Sequence, residues 1–301
     1  MRISPQMSQI ILAALNKSDQ AEQAALQQLT TGRRVNQASD DPAAAAQEVN
    51  ISSQMNAGDQ YLRSISSISS ELQTADSSLN SAVTALQSAI SLGTEGANGT
   101  LSQQDRNTIA QQVQDVSQLV LGVANLSYNG VYVFAGTADS QPPYVVDNTG
   151  TVQYQGNDNV NSVEIAPGQS VAVNQPGSQL FSAAGASVFT ALSDLANTLQ
   201  DSDSTSEDIG NAVTQLRGAY DQLTAARTFY GSTVDQLLST QDFLNNEKVQ
   251  LSNQQNSTIG VDMNAAVTNL TQAEQARAAT VAAAAGMNNV TLMDYLSSAG
   301  H

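Results

Sequence analysis

The chain has 301 residues, no cysteine, no tryptophan, 4% aromatic residues and a formal net charge of -17 at pH 7. The absent thiols exclude a disulfide framework, a thiol nucleophile and a thiolate metal site, and the acidity disfavours nucleic-acid phosphates and anionic membranes as partners. No run approaches the roughly 18 apolar residues that a membrane span requires, so no membrane insertion is expected.

Ala, Ser, Thr, Asn and Gln dominate, a composition that suits helices packed closely side by side better than a compact enzyme core. The six prolines, Pro5, Pro42, Pro142, Pro143, Pro167 and Pro176, leave 43–141 and everything after 176 free for long helices. Lys and Arg are absent between Arg106 and Arg217, which marks an acidic middle. The start, Met1-Arg2-Ile3-Ser4-Pro5, has no apolar segment of the kind a cleaved leader carries. A cytosolic protein, or one exported without leader cleavage, is therefore expected.

In chain order, residues 6–30 predict a weakly amphipathic helix striped by Met7, Ile11, Leu15, Leu26 and Leu29, stopped at Gly32. Asp41 before Pro42 predicts a helix start, with the carboxylate capping free N–H groups. From Pro42 the chain can stay helical to about Leu92. Its seam is Ile65, Ile68, Leu72, Ala75, Leu79, Ala82, Leu86 and Ala89, and large and small residues alternate along much of it. A turn is expected at Gly93–Gly99 and a helix over Asp105–Leu126. Val131–Phe134, Thr151–Tyr154, Ser162–Ile165 and Ser170–Val173 read as strands, with a hairpin turn at Asp147–Gly150. Gly156–Asn159 has a faint likeness to a calcium loop but lacks the spaced ligands, and reads as a turn. Helix resumes over 187–200.

The stretch 213–251 organises the rest. Leu216, Leu223, Tyr230, Leu237, Leu244 and Leu251 recur every seventh residue, with Val213, Tyr220, Arg227, Val234, Gln241 and Lys248 between them. Such a repeat over about five heptads predicts a helix that buries one seam against others, roughly 60 Å long at 1.5 Å per residue. Arg227, Gln241 and Lys248 either lay their stems on apolar surface or set register or face another subunit. The C-terminal helix, Asp262–Leu296, has the small seam Met263, Ala266, Leu270, Ala273, Arg277, Thr280, Ala284 and Met287. Both terminal helices are too weak to stand alone, so they are expected to order by pairing with each other and with neighbouring molecules.

The fold class expected is mainly α: an elongated antiparallel helical bundle or coiled coil with a small β-rich insertion. Five segments are expected. They are an N-terminal helix (1–41), the first part of the bundle (42–136), the acidic insertion (137–185), the second part of the bundle (186–258) and a C-terminal helix (259–301). The single histidine is His301, and no catalytic set, phosphate loop or dinucleotide fingerprint is present. No enzyme activity and no cofactor are expected.

The motifs carry a resemblance. Leu29-Thr30-Thr31-Gly32-Arg33-Arg34-Val35, followed by Ala38-Ser39-Asp40-Asp41-Pro42-Ala43, resembles the N-terminal signature of the flagellin superfamily. The Asp-Asp-Pro form after Arg2-Ile3-Ser4 is similar to its hook–filament junction members, on the filament side. Ala97–Ser102 with Asp105-Arg106, Ala124–Leu126 with Gly130–Gly136, and Leu292-Met293-Asp294-Tyr295-Leu296 agree. Arg227–Gly231 is bulkier, and Val281–Ala285 plainer, than the family pattern.

The resemblance implies an extracellular structural adaptor of the flagellum. Its expected partners are further copies of itself in a ring or helical assembly, the hook-side hook-associated protein, flagellin, and a flagellar export chaperone with the export apparatus. Ile11, Leu15, Leu270 and Met287, the large apolar side chains on weak stripes, are the candidate subunit-interface residues, the alternative being contacts only within one chain. A flagellin filament subunit and a helical ligand-binding or sensor module remain the alternatives.

Overall fold

The computed structural model describes residues 5–183 and 187–298, with side chains described for 9–183 and 187–285. Backbone contacts divide the chain into two compact units: Met1–Ala57 with Asn246–His301, and Gly58–Asn245. This division is coarser than the five expected segments. It cuts through two long helices, α2 (Pro42–Gly96) and α6 (Ser206–Ile259), each of which contributes to both units.

The larger unit is a helical bundle carrying β hairpins. Its helices are the later part of α2, α3 (Gln103–Ala124), the one-turn α4 (Gly177–Leu180), α5 (Val188–Gln200) and the earlier part of α6. Ser102 caps α3 and Asp105 returns the bond, a reciprocal box that satisfies two otherwise orphaned N–H groups. The α2 seam read from the sequence is buried at all eight positions, and it shares one core with α3, α5 and α6. On α6, Leu216, Leu223, Tyr230, Leu237 and Leu244 are buried as expected.

The second row on α6 differs from expectation. The residues buried between the large ones are Ala219, Ala226, Thr233 and Thr240, one position before Tyr220, Arg227, Val234 and Gln241, which are half-buried. A row of small residues lets neighbouring helices approach more closely than a second row of long ones would. Arg227 spans to α2 instead. Its Nε lies 2.9 Å from Asp76 Oδ1, its Nη2 3.3 Å from Asp76 Oδ2 and its Nη1 2.9 Å from Asn80 Oδ1. That fork holds α2 and α6 in one register, the sharper of the two expected roles.

Gly93 and Gly96 also depart from the reading, because α2 runs through them to Gly96. Both are buried. A Cβ on Gly93 would stand 2.6 Å from Val213 Cγ2 and 3.0 Å from Leu195 Cδ2, and one on Gly96 would collide with Leu199. The glycines mark a close helix approach, not a turn.

The β region is three antiparallel hairpins: β1 (Ser127–Tyr128) with β2 (Val131–Tyr132), β3 (Tyr144–Val146) with β4 (Val152–Tyr154), and β5 (Ser162–Ala166) with β6 (Gln169–Ala172). Val131–Phe134 is strand only over its first two residues. Asn129 (φ 52°) and Gly130 (φ 84°) form a tight two-residue hairpin before it, and Val133 and Phe134 turn inward and are buried. The hairpin at Asp147–Gly150 is as expected, with Gly150 at φ 82°. In the Gly156–Asn159 turn, the Asn157 side-chain carbonyl accepts from the N–H groups of Thr137 and Asn159.

Aromatic residues are concentrated where the hairpins meet the bundle. Four of the five phenylalanines, Phe134, Phe181, Phe189 and Phe229, join Tyr144, Tyr154 and Tyr230 in one cluster, with ring centroids 5.1–6.4 Å apart. Burial pushes the Tyr144 and Tyr230 hydroxyls well above their ordinary values. Asn125, at the end of α3, donates to the Tyr144 carbonyl at 2.8 Å and accepts from its N–H at 2.9 Å. Its carboxamide thereby stands in for a further strand on β3 and ties the hairpin to the helix.

Two outcomes follow for stability. Gly93→Ala should lower the unfolding free energy by about 1–3 kcal/mol, the usual cost of overpacking, measured by denaturant titration. Asn125→Ala, which strands the two Tyr144 backbone groups, should cost about 1–3 kcal/mol. Hydrogen exchange should place the loosening at β3.

Candidate assembly interface

The smaller unit brings the two ends of the chain together. α1 (Pro5–Thr31) packs against α7 (Met263–Ser298). Arg277 on α7 reaches Asp19 at 2.8 Å and Glu22 at 3.4 Å on α1. These groups are partly exposed, so the pairs set alignment more than they add stability.

The loops that close the unit are built from backbone pairing. Gly32, at φ 68°, ends α1 in the left-handed conformation that glycine adopts freely. Arg33 then bridges Gly260 in antiparallel fashion, the Arg34 N–H donates to the Ile259 carbonyl at 2.7 Å, and the Val261 N–H donates to the Gly32 carbonyl at 3.1 Å. Val35, Ala44 and Ile259 bury a small core beneath this crossing. Gln255 Nε2 donates to Glu48 Oε1 at 2.7 Å, and Arg33 stands 3.8 Å from the same carboxylate oxygen.

Asp41, read as a cap, acts as one. The Ala44 N–H donates to Asp41 Oδ1 at 3.0 Å, and the Arg34 guanidinium holds Asp41 Oδ2 at 3.2 Å while also donating to the Thr258 carbonyl. Those two donors, the backbone one first, hold the Asp41 carboxyl below its ordinary value. The Asn36 and Gln37 N–H groups do the same for Asp40. The segment Arg33–Pro42 is thus a structural clasp between the start of α2 and the end of α6. Among the described residues no group of three His, Cys, Asp or Glu side chains is placed to hold a metal.

The packing of α1 on α7 is inverted relative to an ordinary core. Among the residues whose side chains are described, the buried ones are small: Ala25, Ala266 and Ala273. The large apolar side chains point outward: Ile10 is 62% exposed, Leu12 59%, and Leu26, Met263, Val267 and Val281 are about half exposed. Met263, expected in the seam, is therefore on the outside. Ile11, Leu15 and Leu270 are half-buried, and Met287 lies outside the residues whose side chains are described. The sequence reading missed Ile10, Leu12, Val267 and Val281, because a stripe with small residues on both flanks does not announce which face its partner covers. Both helices therefore leave large apolar side chains exposed, surface of a kind that contact with other molecules can cover.

The pattern of the bacterial flagellin N-terminal helical region matches residues 3–139, and that of the C-terminal helical region matches residues 211–296, together about three quarters of the chain. The chain is 31% identical to flagellar hook-associated protein 3 of Salmonella typhimurium over 183 residues, which cover 60% of this chain and 57% of that protein. It thus aligns with somewhat more than half the length of that relative. With flagellar hook-associated protein 3 of Escherichia coli the identity is 24% over 288 residues, 88% of this chain and 90% of that one. Its fold is similar to that of a solved flagellar hook-associated protein from Vibrio parahaemolyticus, with a TM-score of 0.69 and 20% identity over 73% of this chain and all of the other.

The sign of the Asp41 shift fixes a pH dependence. A carboxyl whose folded value is depressed stabilises the clasp above its ordinary value of 3.8, and that contribution is lost as pH falls through the folded value. Protection of the Ala44 amide in hydrogen exchange should fall as pH drops below 3.8, and Asp41→Ala should show the same loss already at pH 7. The paired termini, the Arg-rich clasp and the matched regions at both ends of the sequence agree: this chain belongs to the bacterial flagellin family.

Proposed function

We propose that the chain is the structural adaptor of the bacterial flagellum that joins the hook-side hook-associated protein to the flagellin filament. It acts outside the cell, as a ring or helical assembly of copies, and has no catalytic role. The observation that carries this reading is the outward apolar face of the paired terminal helices. A monomer gains nothing from that face, whereas an assembled subunit buries it. The alignment along nine tenths of the Escherichia coli hook-associated protein supports the adaptor over other members of the family. Partners of the terminal helices before assembly would be an export chaperone and the export apparatus, since exposed apolar helices need cover in transit.

The five-segment division carries over to this proposal. The ends, 1–41 and 259–301, make assembly contacts, 42–136 and 186–258 form the bundle wall, and the acidic insertion 137–185 faces outward. A flagellin filament subunit is the second reading, favoured by the match to both flagellin regions.

Immunogold electron microscopy of intact flagella, with antibody against residues 137–185, separates the readings. Label in one band where hook meets filament is the expected result. Label along the whole filament makes the chain a flagellin, and no label on flagella removes both. Val267→Asp, at a position about half exposed, should change monomer stability by less than about 0.5 kcal/mol yet abolish incorporation into flagella. Leu270→Asp, at a half-buried position, should also abolish incorporation while the bundle unit stays folded. Normal junctions built from both variants would remove the terminal helices from the contact.

A further inference from the structure

Glu71 is an acid at the edge of a buried seam. On α2 it lies three residues after Ile68 and four before Ala75, both buried, so helical geometry points it toward the interior. It is half-buried and lines a cleft of about 350 Å³ between α2 and the β region. Across that cleft stand Val133 and Asp139 from the segment after β2, Ser162 from β5, and Asn174 after β6.

The charges around it do not balance. No Lys or Arg is among the residues lining the cleft. From the β region Glu71 meets the carboxylate of Asp139. From α6 it feels the buried Tyr230 hydroxyl, which carries no charge at neutral pH. Arg227, also on α6, is committed to Asp76 and Asn80 further along α2. Glu164 on β5 accepts from Tyr61 at 3.2 Å and from the Gly168 N–H. Arg63, two turns earlier on α2, is exposed. Asn174, almost wholly buried, spends its side chain on the Asn161 N–H and the Gly136 carbonyl. An ionised Glu71 therefore sits between partial desolvation and a like charge, whereas a neutral one fits the cleft as a polar, uncharged group.

We propose that Glu71 is a proton-operated latch between α2 and the β region: neutral, it seats in the cleft opposite Asp139, and ionised, it loosens the contact that the β2 loop and the β5–β6 hairpin make with the bundle. Desolvation first, and Asp139 second, raise the proton affinity of Glu71 above its ordinary value of 4.5. The folded chain then binds this proton more tightly than the unfolded chain. The stabilisation is complete below 4.5 and is lost as pH rises through the folded value. This is opposite in sign to the clasp at Asp41, so mild acid tightens the β region and stronger acid weakens the Asp41 cap.

The test compares the full chain with Glu71→Gln, the uncharged isostere of the protonated acid, and with Asp139→Asn, which removes the facing charge. Melting temperature is followed from pH 4.5 to pH 8. Each variant is expected to melt about 2–4 °C above the parent at pH 8, with the difference vanishing toward pH 4.5. A second reading is local. Exchange of the Val133 and Val173 amides, which bond to the Leu126 and Asn161 carbonyls at the cleft wall, should accelerate between pH 5 and pH 8 more in the parent than in Glu71→Gln. Parallel melting curves, variants that melt lower at pH 8, or a Glu71→Gln chain that does not fold would each overturn the latch.

Discussion

The bundle depends on the burial of a seam in which long side chains alternate with short ones. On α6 the order is Leu216, Ala219, Leu223, Ala226, Tyr230, Thr233, Leu237, Thr240 and Leu244, every one of them buried. The α2 seam has the same grammar, with Leu72, Leu79 and Leu86 set among Ala75, Ala82 and Ala89. Alternation lets knobs on one helix enter the space left by small residues on another, which raises packing density without large aromatics. Gly93 and Gly96 carry the same logic to its limit, where even a methyl group would strike Val213, Leu195 or Leu199. The chain thus reaches a dense interior with only 4% aromatic residues.

Seven of the thirteen aromatic residues are gathered in one place. Phe134, Tyr144, Phe181 and Phe189 fasten short hairpins that could not stand alone, since two-stranded ladders of two to five residues are marginal in water. Packing supplies what the ladders lack, and Asn125 supplies the hydrogen bonds that a third strand would have made. The β region is better described as a set of loops pinned to helix ends than as a separate sheet with a core of its own.

Much of this was legible in the sequence where large apolar residues keep a strict period. The α2 seam and the leucine row of α6 were read residue by residue, because nothing else satisfies a 3.6-residue repeat over such lengths. In the second row of α6 Val213 is buried as read, but from Tyr220 on the row lies one position off. Tyr220 and Val234 look more like core than Ala219 and Thr233, and hydrophobicity alone does not reveal that the closest approach needs the smaller set. Glycine has the same ambiguity, since Gly93 and Gly96 serve approach where Gly32 serves a helix end. The Asn129-Gly130 hairpin carried a readable signal that the β-branched run after it concealed. The assembly face was hardest to read, because Ile10 and Leu12 acquire their meaning only from what α7 leaves uncovered.

That uncovered face explains why the ends of the chain are composed as they are. A terminal helix with a full leucine stripe would bury it against its nearest neighbour and leave nothing for a subunit arriving later. By pairing α1 and α7 with Ala25, Ala266 and Ala273 as the buried side chains, the chain leaves larger ones only partly covered, and it holds the alignment through Arg277 with Asp19 and Glu22. Apolar surface stays uncovered on Ile10, Leu12, Leu26, Val267 and Val281. The proposed adaptor role accounts for this ordering: a subunit that stays separate until it meets its neighbours is served by weak pairing within the chain and burial between chains. The clasp at Arg33–Pro42 completes the arrangement, because its backbone bonds hold the start of α2 and the end of α6 together however firmly the terminal pair is packed.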